Sequence, residues 1–114
     1  MEIIFTQANK NLIVKPSGEI DHHSSVELRR EIDRNLTRSK AKNLIFDFSA
    51  VEFMDSSGIG IMIGRYRELT QRGGKVYAIN INGSIKRIFG ISGLSRIIPC
   101  YGSLDEALAS AGGE

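Results

Sequence analysis

Asn43-Leu44-Ile45-Phe46-Asp47-Phe48 and, shortly after it, Asp55-Ser56-Ser57-Gly58-Ile59-Gly60 are the stretches on which the fold class turns. The first is a near-continuous apolar run, which suits a strand buried on both faces. The second opens a helix, with a carboxylate and two hydroxyls placed where free backbone N–H groups need acceptors. On a wheel of about 100° per residue, Ile59, Met62, Ile63, Tyr66 and Leu69 share one face, the expected core side. Gly73-Gly74 ends that helix, and Lys75-Val76-Tyr77-Ala78-Ile79 reads as the next strand. Strand, helix and strand in this order imply a parallel pair joined by a right-handed crossover.

Working outward toward the N-terminus, Ile3-Ile4-Phe5 and Asn11-Leu12-Ile13-Val14 flank a polar turn at Asn9-Lys10, the pattern of a hairpin. Pro16-Ser17-Gly18 ends the second run. Ser24 with Glu27 forms a candidate capping box, after which Leu28, Ile32 and Leu36 make an apolar stripe against Arg29, Arg30, Asp33 and Arg34. Toward the C-terminus, Ser84 to Phe89 predicts a short helix and Ile97-Ile98-Pro99 an edge strand, where proline is tolerated. Ser103 with Glu106 repeats the capping signal ahead of Leu104, Ala107, Leu108 and Ala111. The expected order is β-β-α-β-α-β-α-β-α. The expected fold is α/β, a small mixed and mostly parallel sheet packed with about four helices.

The chain has 114 residues, with 15 Lys and Arg against 13 Asp and Glu, and a net charge of +2. That length predicts one domain over 1–114, since domains cluster at about 100–150 residues. A charge this close to balance is no footprint for nucleic acid, and no nucleic-acid partner is expected. A single cysteine, Cys100, excludes an internal disulfide and a multi-cysteine metal site. The N-terminal Met1-Glu2-Ile3-Ile4-Phe5-Thr6-Gln7 turns polar too soon for a signal peptide, and no apolar run approaches the roughly 20 residues of a membrane span. A cytoplasmic protein without a membrane partner is expected.

Glycine is disfavoured in helices by about 1 kcal/mol relative to alanine, so Gly58, Gly60 and Gly64 each need a reason. One is close packing of this chain's own backbone, with an Asp/Ser cap; the other is a surface that a second molecule approaches closely. Opposite the core stripe lie Ser57, Ile61, Arg65 and Glu68, with Ser56, Gly60 and Gly64 on the flank. An exposed Ile61 among small residues is therefore expected as a docking patch.

Enzyme readings are weak. Residue 54 is Met, so Asp55-Ser56-Ser57-Gly58 is not the Gly-x-Ser-x-Gly of a nucleophile elbow. His22 and His23 are the only histidines; a serine hydrolase using one of them as base remains a remote alternative, and neither has companions at metal-ligand spacing. The glycines match neither the dinucleotide fingerprint nor a phosphate loop. No catalytic residue, metal or cofactor is expected. The serine as substrate is a better reading. At a helix start the free N–H groups and the dipole favour an anion, so a phosphate there is tolerated by the fold.

Taken together, Asp55-Ser56-Ser57-Gly58-Ile59-Gly60 and Ile63-Gly64-Arg65-Tyr66-Arg67 resemble the signature of the STAS domain family, the anti-sigma factor antagonists. Gly18-Glu19-Ile20-Asp21-His22-His23 is similar to that family's Gly-Glu-Leu-Asp-His-His stretch. Ile85-Lys86-Arg87-Ile88-Phe89 and Ser92-Gly93-Leu94 are similar to its C-terminal pattern, so the resemblance runs over essentially the whole chain. Asp-His-His with Gly-Arg-Tyr is most similar to the sporulation branch, which acts on sigma-F; a general-stress antagonist is the alternative within the family.

The resemblance implies a small mixed sheet with helices mainly on one face. It implies that the unphosphorylated protein binds an anti-sigma factor that is also a serine kinase, in its ATP- or ADP-bound form, and so frees the sigma factor. The kinase then phosphorylates the first serine of the motif and the complex separates; a serine phosphatase restores the free form. Carried over, that serine is Ser56, with Ser57 a secondary candidate. The implied docking surface comprises Asp21, Asp55, Ser57, Gly58, Ile59, Gly60 and Ile61. Two positions depart from the pattern: Ile59 replaces a common leucine, and Gly90-Ile91 stands where an acidic residue is common.

Overall fold

Hairpin formation starts the chain in the computed structural model, which describes residues 1–111. Strands β1 (Ile3–Ala8) and β2 (Asn11–Pro16) pair antiparallel from Ile3 opposite Pro16 to Ala8 opposite Asn11. Asn9 turns the corner at φ 56°, a left-handed conformation that asparagine tolerates. β2 then pairs parallel with β4 (Asn43–Asp47), β4 with β6 (Val76–Ile79), and β6 with the two-residue β7 (Cys100–Tyr101). The sheet order is β1-β2-β4-β6-β7. The three inner strands, β2, β4 and β6, carry apolar residues on both sides because both of their faces are covered.

Helices α1 (His22–Ser39), α2 (Ser56–Gln71) and α3 (Gly83–Ser92) cover one face. Leu12, Val14, Leu44, Phe46, Val76 and Ala78 point into that layer and meet Leu28, Ile32, Met62, Leu69, Ile85 and Phe89. The residues between them in sequence, Ile13, Ile45, Tyr77 and Ile79, point the other way and are closed over by Ala107 and Ala111 of α4 (Leu104–Ala111). This is the period-two alternation of a strand read directly from burial. Phe48 joins the larger layer by stacking on Phe46 at 6.0 Å and meeting Phe89 edge-on at 5.9 Å.

Two expectations about elements are corrected. First, Ile97-Ile98-Pro99 is not a strand. Leu94–Arg96 forms a 3-10 turn, Ile98 is wholly buried, and Ile97 is exposed. Pro99 has no N–H to give; its carbonyl accepts from Ala78, and regular pairing begins one residue later at Cys100. Second, Ser24 is not the cap of α1. Asp21 is, accepting from the backbone N–H groups of His23 (3.0 Å) and Ser24 (2.9 Å), while the Ser24 hydroxyl accepts from the Asp21 N–H at 2.9 Å. Ser24 therefore fills the return half of the capping box, and Glu27 instead lies 3.4 Å from the N-terminal ammonium.

Two strands are additional to the expected order. β3 (Gly18–Ile20) and β5 (Val51–Met54) leave the main sheet and pair parallel with each other, with Ile20 opposite Met54. Each is too short to signal itself by periodicity, and each is stable only because the other completes its hydrogen bonds.

Candidate functional site

Both helices that begin the expected site grow directly from the ends of β3 and β5. Because Ile20 and Met54 are partners in a parallel pair, Asp21 and Asp55 leave the ladder side by side, and the Asp55 N–H donates to the Ile20 carbonyl at 3.0 Å. Asp21 caps α1. Asp55 caps α2, its carboxylate accepting from the Ser57 N–H at 2.8 Å and its carbonyl from the Gly58 N–H at 3.1 Å. Two residues 34 positions apart in sequence thus sit at neighbouring helix starts.

Ser56 is the first residue of α2 and is exposed. Among the described residues its hydroxyl has no hydrogen-bond partner, so the oxygen is free to react or to be covered. Ser57 is half-buried and faces the groove between α2 and α1. His22 and His23 are exposed beside Asp21, with their rings edge-to-face at 5.9 Å. The backbone N–H of Ser24 holds the Asp21 carboxyl below its ordinary value, with the Ser24 hydroxyl and the His23 N–H and charge adding to the effect against a small opposing cost of burial. Asp21 is therefore a fixed anion at neutral pH.

The structure brings Asp21, Asp55, Ser56, Ser57 and the exposed Gly60 to one face. Gly58, Ile59 and Ile61 are buried rather than exposed there, Ile61 reaching the surface only as part of the lining of the groove between α1 and α2, so the expected exposed Ile61 is corrected. Ile61 is 6% exposed and Ile59 8%. Ile61 belongs to the same buried cluster as Leu28 and Ile32, because α1 packs across the side of α2 that a wheel for a single sheet contact leaves open. Gly58 is buried, and a Cβ there would meet the Met54 side chain and come within 3.1 Å of Ile20. Close packing thus accounts for Gly58, but a Cβ at Gly60 or Gly64 would meet nothing.

One residue of the face escaped the reading of residue types. Asp21 was legible there only through resemblance, although Ile20-Asp21-His22-His23-Ser24 and Met54-Asp55-Ser56-Ser57 share an apolar–Asp–polar rhythm that marks two equivalent strand-to-helix turns. Among the described residues, no group of three His, Cys, Asp or Glu side chains is placed to hold a metal ion.

Comparison with known proteins places these features in a family. The STAS domain family matches residues 2–107. The anti-sigma F factor antagonist of Paenibacillus polymyxa is 37% identical over 97 residues, covering 85% of this chain and 83% of that protein. The fold superposes on the anti-sigma factor antagonist SpoIIAA in its unphosphorylated form with a TM-score of 0.85 at 26% identity, over 99% of this chain and 98% of that one. It also superposes on the phosphorylated form of the Bacillus cell fate determinant SpoIIAA, with a TM-score of 0.75 at 26% identity over 96% and 99% of the two chains. With the family matched over nearly its whole length and the two capped helix starts in place, the chain belongs to the STAS domain family.

Proposed function

We propose that this chain, an anti-sigma factor antagonist, is gated by phosphorylation of Ser56. The observation that carries the reading is an exposed serine hydroxyl without a partner among the described residues, at the first position of α2 and beside a second capped helix start. In its unmodified form the chain binds an anti-sigma factor that is also a serine kinase, through Asp21, Asp55, Ser57 and Gly60. It acts as a kinase substrate and binding module rather than as a catalyst, in the cytoplasm where sigma factors work. A relative named as an anti-sigma F factor antagonist supports sigma-F as the regulated factor. A solved relative in a phosphorylated form supports the modification.

The physics of the switch follows from the site. A phosphoserine adds about −1.5 to −2 charges. Placed on Ser56 in the free protein, it stays in water and lies at the positive end of the α2 dipole, so the fold keeps it without strain. Covered by a partner, the same phosphate is stripped of water next to the Asp55 and Asp21 carboxylates, where desolvation and like charge both oppose binding. The complex therefore separates while the domain remains folded, and a serine phosphatase returns it to the binding form.

Incubation with the anti-sigma factor kinase and ATP, followed by intact mass and mapping, tests the reading. One phosphate is expected on Ser56, with loss of the complex. Uptake by Ser56→Ala equal to the native protein would assign the modification elsewhere.

A further inference from the structure

Gly60 and Gly64 are not explained by this chain's own packing. They lie one turn apart on α2, and a Cβ at either position would have no atom within 4 Å. Glycine is, after proline, the least favourable residue for a helix interior. These two floor a groove of about 410 Å³ between α1 and α2, with Ser57 at its near end, Arg65 at its far end and Val26 and Arg29 on the α1 wall.

The rim of the groove has a definite chemistry. The Arg65 side chain is 14% exposed, and its guanidinium is paired with Asp33 of α1 at 3.3 Å and Glu68 at 3.6 Å. Arg29 and Arg30 are exposed and, among the described residues, have no ion pair. Val26 lines the groove beside Arg29 as an apolar side chain 61% exposed. The groove therefore offers bare backbone at its floor, Val26 and the edge of Ile61 as apolar surface, and the unpaired Arg29 at its rim, while Arg30 lines the adjoining hollow with Val26, Arg29 and Asp33. The groove is continuous with Ser57, and so with the phosphorylation turn.

We propose that this groove binds an acidic segment of the anti-sigma factor kinase, with an apolar side chain on Val26 and carboxylates against Arg29 and Arg30. The inference rests on the kinase-binding reading above and extends the docking surface beyond the two helix starts. Positive charge selects an acidic segment, and the glycine floor lets its main chain come close to α2. Because Ser56 is not among the groove residues, the groove supplies affinity and orientation, while the phosphate at Ser56 supplies the switch.

The test measures the affinity of the purified kinase, in its nucleotide-bound form, for three proteins. These are the native chain, the double variant Arg29→Glu/Arg30→Glu, and Gly64→Leu, which puts a bulky side chain on the floor from a Cβ position with no atom within 4 Å. Circular dichroism confirms folding of each. Both variants are expected to bind about tenfold more weakly or worse, and the charge reversal is expected to remove the steep salt dependence of native binding. At saturating kinase, Ser56 is still phosphorylated in both. Affinities within twofold of native for both variants would overturn the groove and leave the antagonist reading standing. Failure of the native chain itself to bind the kinase would overturn the antagonist reading instead. Salt-sensitive self-association of the native chain, lost in the variants with kinase affinity unchanged, would assign the groove to a second copy and refute the proposal.

Discussion

The same substitution at two glycines of one helix should shift stability in opposite directions. Gly58→Ala and Gly64→Ala both replace glycine in α2, and both gain helix propensity, by up to about 1 kcal/mol and by less near the helix start. At Gly64 nothing opposes that gain, since the new methyl meets no atom within 4 Å. The expected net effect is a stabilisation of about 0.5–1 kcal/mol. At Gly58 the methyl drives into Met54, the 2% exposed last residue of β5, and approaches its β3 partner Ile20 to 3.1 Å. Overpacking of a closed core site costs about 1–3 kcal/mol, which exceeds the propensity gain. The two variants should therefore differ by about 1–3 kcal/mol, or about 4–12 °C in Tm at roughly 4 °C per kcal/mol for a domain of this size. Urea unfolding followed by far-UV circular dichroism measures the difference, provided the slopes agree. Equal midpoints for the two variants would refute the claim that α2 seats on Met54 through Gly58.

Ser56→Asp should leave stability nearly unchanged, because a dipole gain of about 0.3–1 kcal/mol opposes a repulsion from Asp55 of about 1 kcal/mol for charges roughly 4 Å apart in water. Its kinase affinity should fall steeply, and calorimetry showing native affinity would remove the electrostatic switch. Asp21→Asn should be less stable than the native protein at pH 7, with the gap closing on acidification. The native carboxyl titrates below its ordinary value of 3.8, so its stabilisation is present above that pH and is lost as pH falls through the folded-state value. A gap that widens in acid would contradict this. Phe48→Ala should cost about 3–5 kcal/mol, because Phe48 is 1% exposed and joins Phe46 to Phe89. A loss below about 1 kcal/mol by urea unfolding would show that the aromatic layer repacks around the cavity.

Elements whose signals are local were legible from residue spacing. The apolar run of β4 and the stripe Leu28, Ile32 and Leu36 of α1 encode burial in periods of two and 3.6 residues, and both appear where that spacing puts them. The start of α2 at Asp55-Ser56 was equally plain, since a cap is a contact between neighbours in sequence. The start of α1 was misread by three residues because Ser24 and Asp21 are both good capping residues. The choice between them follows from where β3 ends.

What the sequence determined by itself was the order of its main strands and helices and the capped start of α2 at Asp55-Ser56. Tertiary structure alone decided which of these features share a surface. The pairing of β3 with β5 sets Asp21 beside Asp55, and the crossing of α1 over α2 buries Ile61 while leaving Gly60 and Gly64 as the floor of an open groove. A period reports which side of one element is apolar. Which neighbour covers that side, and how closely, depends on contacts between residues far apart in the chain, and no local spacing carries them.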